Sequence, residues 1–318
     1  MKIKITLLAL SVAASPAFAK LADQQGLSGE ISINTGVASS TSNFNTDADS
    51  NLSSTAQKAS SESSFLVAPL GSVAYTFGEK LNHQVYTGTA RDDIATGTVV
   101  LEVGYKYQLE SGMVIDASLL PTIMSGDTWA DPYNATSART KTDETGNAFR
   151  LKLSSIAGSA FSLDMAYATK DVEQDDVPDE LKRDADTFYL KGQYRQPLSR
   201  TMMLIPSIIY QTRDADGKAE SYDQIGAEVS LFGTAGRHQY ALTAGYNQRD
   251  YDAGSSLFNN TKRSDDNINL FAAYEYDQFM DWENWSFISL AGYGTSDSNI
   301  TFYDESQYIV SVGLNYKF

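Results

Sequence analysis

The chain has 318 residues, no cysteine and only two histidines, His83 and His238. Without cysteine there is no disulfide framework, no thiolate metal site and no lipid-modified Cys. Two histidines leave little room for imidazole chemistry. No stretch after the N-terminus approaches the ~18 unbroken apolar residues of a membrane helix. Basic residues are scarce as well: 24 Lys+Arg stand against 40 Asp+Glu, a formal net charge of −16. Such a chain repels phosphate, so nucleic acid is excluded as a partner. A mean hydropathy of −0.31 would suit a soluble protein. A strand barrel escapes that test, because half of each strand faces water.

What is present begins at the two ends. Lys2 and Lys4, the apolar run 5–14 and Ala17-Phe18-Ala19 have the layout of a secretory leader. Residues 1–19 are therefore expected to be removed, leaving residues 20–318 as one domain. At the other end, Tyr308, Val310, Val312, Leu314, Tyr316 and Phe318 fall on one face of a period-two segment. Ile309, Ser311, Gly313, Asn315 and Lys317 fall on the other. About ten residues, apolar outward and polar inward, is what a bilayer-spanning barrel strand requires.

The same alternation recurs along the chain. It is plain at Leu27 to Val37, Gly71 to Phe77, Ala95 to Tyr107, Met113 to Leu119, Phe149 to Leu153 and Phe161 to Tyr167. It returns at Phe188 to Tyr194, Ile225 to Leu231, Tyr240 to Tyr246 and Ile268 to Tyr274. Met202 to Tyr210 and Trp285 to Tyr293 are apolar on both faces, so their register is unreadable. With these the count is about fourteen strands, or about twelve if His83 to Thr89 is not one. Short connections (109–112, 156–159, 196–200, 233–237) alternate with long polar ones (39–64, 122–146, 171–186, 213–220, 252–265, 295–305). A soluble sandwich has no reason to keep its long loops at one end. The fold predicted is all-β: an antiparallel up-and-down transmembrane barrel, with short periplasmic turns, periplasmic termini and long outer loops.

The polar strand faces carry Glu30, Glu102, Asp116, Asp164, Glu228 and Glu275 together with Lys106, Arg150, Lys152 and Lys191. In lipid each Lys or Arg at the midplane would cost ~2–4 kcal/mol, so these residues are expected to face the lumen. A fourteen-stranded barrel is wide enough to hold water unless a loop fills it. Residues 39–64, or 122–146 with Trp129 and Tyr133, could fold inward and do so.

Other constellations are weaker. His83 and His238 sit beside short turns, a membrane thickness from the acidic pairs Asp92-Asp93, Asp175-Asp176 and Asp265-Asp266 assigned to outer loops. A base must reach its nucleophile, so no catalytic residues are assigned. Asp47, Asp49 and Asn51 have calcium-loop spacing, but Leu52 replaces the required Gly and Lys58 the bidentate Glu. No metal or cofactor is expected. Trp282, Trp285, Tyr105, Tyr107, Tyr316 and Phe318 gather near strand ends and fit an interfacial girdle better than a sugar slide.

The closing strand resembles the terminal signal read by outer-membrane assembly machinery, which assigns Tyr316 and Phe318 to barrel assembly. Four further stretches, at residues 70–77, 120–129, 183–191 and 282–286, resemble a family of Gram-negative outer-membrane barrels that carries only a domain-of-unknown-function label. The resemblance implies an outer-membrane location and a setting of lipid bilayer and lipopolysaccharide. It carries no catalytic or ligand residues. The function expected is a porin-like, mildly cation-selective diffusion channel for small hydrophilic solutes. The alternatives are a closed barrel presenting its loops as an adhesin or receptor and, third, an outer-membrane hydrolase.

Overall fold

A computed structural model describes residues 20–89, 101–121 and 126–318. The expected leader 1–19, the pair Asp92-Asp93 and the first residues of the Ala95 to Tyr107 segment lie outside them. Fourteen strands close a barrel. They are β1 Gly26–Thr41, β2 Ser61–Phe77, β3 His83–Thr89, β4 Leu101–Gln108, β5 Val114–Pro121, β6 Lys141–Ser154 and β7 Phe161–Val172. The ring continues with β8 Ala185–Tyr194, β9 Met202–Ala215, β10 Tyr222–Ala235, β11 His238–Ser255, β12 Thr261–Asp277, β13 Trp285–Ser298 and β14 Glu305–Lys317. Two short stretches, Gly126–Trp129 and Gln196–Pro197, add to the rims by pairing with β6 and β9.

Every strand pairs antiparallel with its chain neighbours, and β1 closes on β14 from Glu30↔Lys317 to Thr41↔Ser306. Closure gives each of the fourteen strands a hydrogen-bonded neighbour on both sides among the described residues. Phe318 adds one step, since its N–H donates to Gly29 O and Gly29 N–H donates to Phe318 O, both at 2.9 Å. A Cβ at Gly29 would lie 2.8 Å from the Phe318 ring, so glycine makes room for the terminal aromatic.

Period two sorts the side chains. The outer face is apolar and exposed, as at Ile31, Ile33, Phe65, Val67, Phe149, Ile208, Ile225 and Val312. This exposed belt on a closed strand ring marks a membrane barrel of the outer-membrane type. Short turns and long loops alternate around the ring. Between β10 and β11 the turn is reduced to Gly236-Arg237, with Gly236 left-handed at φ +62°.

Several strands exceed the sequence expectation at the long-loop end, and their loops are correspondingly shorter. β2 starts at Ser61 rather than Gly71, and β6 at Lys141 rather than Phe149. The expected loop 252–265 shrinks to 256–260, because β11 and β12 run on past the apolar belt. Asp265 is consequently a strand residue and fully buried, not a loop carboxylate.

Candidate functional site

The inner wall has two unlike arcs. On the arc from β4 to β8 one row is fully charged: Lys106 lies opposite Asp116, Asp116 opposite Lys152, Lys152 opposite Asp164 and Asp164 opposite Lys191. Cross-strand neighbours of opposite sign attract, so this register is self-reinforcing. Lys191 Nζ continues the row to Glu228 Oε1 at 2.6 Å. Just off it, Arg150 donates to both carboxylate oxygens of Asp164 at 2.9 and 2.6 Å and lies 3.8 Å from Glu102. Glu102 is 1% exposed and also accepts from Ser118 Oγ at 2.9 Å. Tyr86 crosses Gly104, where a Cβ would meet its ring at 2.5 Å, and donates to Asp116 at 2.6 Å under the Lys106 ammonium. On the other side of the ring Lys317 bridges Glu275 and Asp277 at 2.8 Å each, and Asn315 donates to Glu30 at 2.9 Å.

The ten charged residues named from the sequence all take part in this network of rows and pairs. Tyr86, Asn315, Lys317 and Asp277 complete it. Lys317 and Asn315 were legible from the alternation of the last strand. Tyr86 was not, because β3 is short.

The arc from β11 through β14 to β2 keeps its charges toward its two ends, with Glu30, Glu275, Asp277 and Lys317 near the short turns and Arg249, Arg263 and Asp265 near the long loops. Between them it carries small and uncharged groups, among them Gly245, Asn269, Gly292, Gly294, Gln307, Ala38 and Ser64. Against it, toward the long loops, lies a cavity of about 840 Å³. Its ionisable lining is Asp47, Glu62, Glu228 and Glu305, with no Lys or Arg among the described residues. Beside it a second cavity of about 230 Å³ reaches Arg249 and Arg263. Toward the short turns the interior narrows to about 90 Å³.

The long loops pack over the mouth. Phe44, Leu52, Tyr133, Val177, Leu181, Ala219, Phe258, Ile300, Phe302 and Tyr303 form one apolar cluster, drawn from every described long connection. Arg139 donates to the carbonyls of Asn43 and Asp49, tying two loops together. Arg183 donates to Asp175 at 2.6 and 2.8 Å and to the Trp129 carbonyl at 2.8 Å, tying a third loop to that of Arg139. Tyr133 Oη donates to Glu220 at 3.1 Å, and burial pushes its phenol well above the usual range. Glu180 accepts from Ser255 and Ser256 hydroxyls, and these bonds hold its carboxyl below the usual range. Beneath the cluster Arg263 and Arg249 face Asp265 at 2.7 and 3.9 Å, and the Arg263 guanidinium lies 3.7 Å from the Tyr303 ring centre. Trp129 and Tyr133 are both buried here.

At the short-turn rim the aromatics face outward. Trp282, Trp285, Tyr316 and Phe318 follow one another at ring-centre distances of 6.2, 5.1 and 6.4 Å. His83 stacks among Phe77, Tyr105 and Tyr107, and its Nδ1 pairs with Tyr105 Oη at 2.6 Å. His238 repeats this with Tyr274 and Tyr276. Among the described residues neither imidazole meets Asp175-Asp176 or Asp265-Asp266. Asp49 Oδ1 is taken by Asn51 in a local turn, and no group of three acidic or imidazole side chains fit for a metal occurs among the described residues.

Solved structures of similar form include the CymD monoaromatic hydrocarbon channel, at 12% identity over 93% of this chain and 89% of that one, TM-score 0.46. The toluene transporter TodX of Pseudomonas putida matches at 11% identity over 92% and 89%, TM-score 0.45. An anion-selective porin of Comamonas acidovorans matches at 9% identity over 93% and 100%, TM-score 0.42. Likeness at this level does not extend to function. No curated protein matches the sequence. The family match covers residues 26–317, and the chain belongs to the family described as "Protein of unknown function (DUF2860)".

Proposed function

We propose that this barrel is a mildly cation-preferring diffusion channel for small hydrophilic solutes, with the long loops outside and both termini periplasmic. The observation that carries this reading is the polar cavity of about 840 Å³ whose described ionisable lining is carboxylate alone. Carboxylates around water raise the local cation concentration. The ten inner charges, Glu30 to Glu275, line or stiffen the passage without catalysing anything, and the two histidines are committed to outward tyrosine contacts. Bilayer and lipopolysaccharide surround the belt. The assembly machinery reads the closing strand, so deleting Phe318 should abolish heat-modifiable gel migration of the membrane fraction.

Single-channel recording of the purified protein tests the reading. Discrete conductance with a cation-preferring reversal potential supports it, and a folded but silent barrel removes it. Epitope tags within residues 45–55 should label on intact cells, whereas tags at Gly236 should not. The packed loop cluster favours a second reading, a closed barrel that presents this cap to a receptor or surface. Silence in bilayers together with loop-dependent adhesion would select that one.

A further inference from the structure

We infer that the size filter of this channel lies in the wall itself, at an apolar pinch near the short turns, and that Phe232 is its principal residue. The inference rests on the channel reading above. Apolar residues elsewhere on the inner face, such as Leu66, Ile209, Phe271 and Ile309, each stand opposite a glycine on a neighbouring strand. Here Leu70, Phe232, Ala241, Ala273, Ile288 and Leu290 line one small cavity. Leu70 stands on β2 and Phe232 on β10, six strands apart on a ring of fourteen. Two nearly opposite walls therefore border a space of about 90 Å³, against about 840 Å³ in the chamber above.

The register accounts for the closeness. Phe232 pairs with Ala241, Ala241 with Ala273, and Ala273 with Leu290. Two alanines beside one phenylalanine leave free volume next to the ring, and Leu290 and Ile288 close the far side. Leu290 and Ala241 are buried, although neither faces lipid. Apolar side chains on the inside of a water-filled barrel gain by meeting one another rather than water. An apolar constriction also resists wetting, so it slows ions and hydrated solutes more than its width alone would. Glu30, Gln239, Glu275 and Asn315 border the same space, placing polar groups at the edge of the dry segment.

Phe232 takes part in no ion pair, so Phe232→Ala should leave assembly intact, which heat-modifiable migration of the variant verifies. Its single-channel conductance in 1 M KCl is expected to rise about twofold or more, and proteoliposomes should admit larger sugars than the parent. Ala241→Leu, which fills the same space, should lower both. Ile288→Ala provides an independent widening variant if Phe232→Ala fails to assemble. A parent that conducts and widening variants that conduct identically would overturn the filter and leave the channel standing. Silence of parent and widened barrels alike would overturn both. A silent parent beside a conducting Phe232→Ala would overturn the size filter together with the channel reading, since the wall would then seal the barrel rather than select by size.

Discussion

The arc from β4 to β8 and the arc from β11 to β2 meet the same requirement, an inner face that tolerates water, by different means. The first uses full charges in register across its middle, whereas the second keeps charges at its ends and uses Gly, Ser, Asn and Gln between them. A charge taken out of bulk water is stabilised only by close partners, so the first arc folds its side chains onto each other and fills its share of the lumen. Small uncharged groups make no such demand and leave space. The cavity consequently lies against the uncharged middle of the second arc, bordered by Ser, Asn, Gln and Gly together with Phe44, Phe271 and Ile309. Paired charges shape the passage, while the less occupied carboxylates, Glu62 and Asp47, act on what enters it.

Breaking the charged arc should have the largest effect. Arg150→Met leaves Glu102 and Asp164 facing each other without their shared guanidinium. Removing one partner of such a buried cluster costs about 3–5 kcal/mol. Asn269→Ala on the open arc should stay within about 0.5 kcal/mol. Urea unfolding in detergent, followed by loss of heat-modifiable migration, compares the two directly. Equal midpoints would erase the distinction between the arcs.

The contrast between arcs was only half visible in the sequence. The charged row was legible, because Lys106, Asp116, Lys152, Asp164 and Lys191 each alternate with apolar neighbours. The outer belt was legible for the same reason. Alternation fails where both faces share one character. Residues 141–147 are polar on both, since β6 there has risen past the belt. Residues 61–70 mix Pro69 and small residues with Phe65 and Val67, and their strand was missed. Met202 to Tyr210 and Trp285 to Tyr293 are apolar on both faces. In the second of these the unreadable register concealed Ile288 and Leu290 of the pinch. The cap was hidden for another reason: each loop contributes only one to three of its apolar residues, and only their meeting makes a core. Trp129 and Tyr133, bulky aromatics in a polar loop, were the one local sign.

The cap adds a comparison of ends. At the short turns the ring is held by backbone hydrogen bonds, outward aromatics and an exposed Arg237–Asp281 pair, whereas at the mouth buried arginines fasten loops to one another. Arg183→Ala should therefore free the 173–184 segment at a local cost of about 3 kcal/mol, leaving Asp175 buried without its partner. Limited proteolysis should cut that loop while the barrel survives, and conductance should rise. Protons act on the same fastening. Glu180 has its carboxyl held below the usual range by the Ser256 and Ser255 hydroxyls. A depressed folded pKa contributes stability above the unfolded value near 4.3, and that contribution is lost as pH falls through the folded value. Cap opening should thus grow below about pH 4 and be unchanged between pH 6 and 8. Pulse proteolysis across that range measures it.

Ion selectivity is the smallest and most specific test of the contrast. On the charged arc, neutralising Asp116 or Asp164 removes a partner from Lys106 or Arg150, so any change in permeation is mixed with a change in packing. In the cap Asp175 is likewise spent on Arg183. Asp171, Glu173, Asp176 and Asp179 are exposed at the mouth, and Glu62 and Asp47 line the chamber. Their field is screened within about 10 Å at 0.1 M salt and about 3 Å at 1 M. The expected preference for cations is therefore mild at 0.1 M and nearly absent at 1 M. Glu62→Gln with Asp47→Asn should reduce the reversal potential in a 0.1 M to 0.03 M KCl gradient, with little change in conductance at 1 M. These four exposed carboxylates, neutralised together, should act in the same direction but more weakly, because they stand farther from the path. An anion-preferring parent, or a reversal potential indifferent to all six carboxylates, would mean that the paired charges of the wall set the field after all.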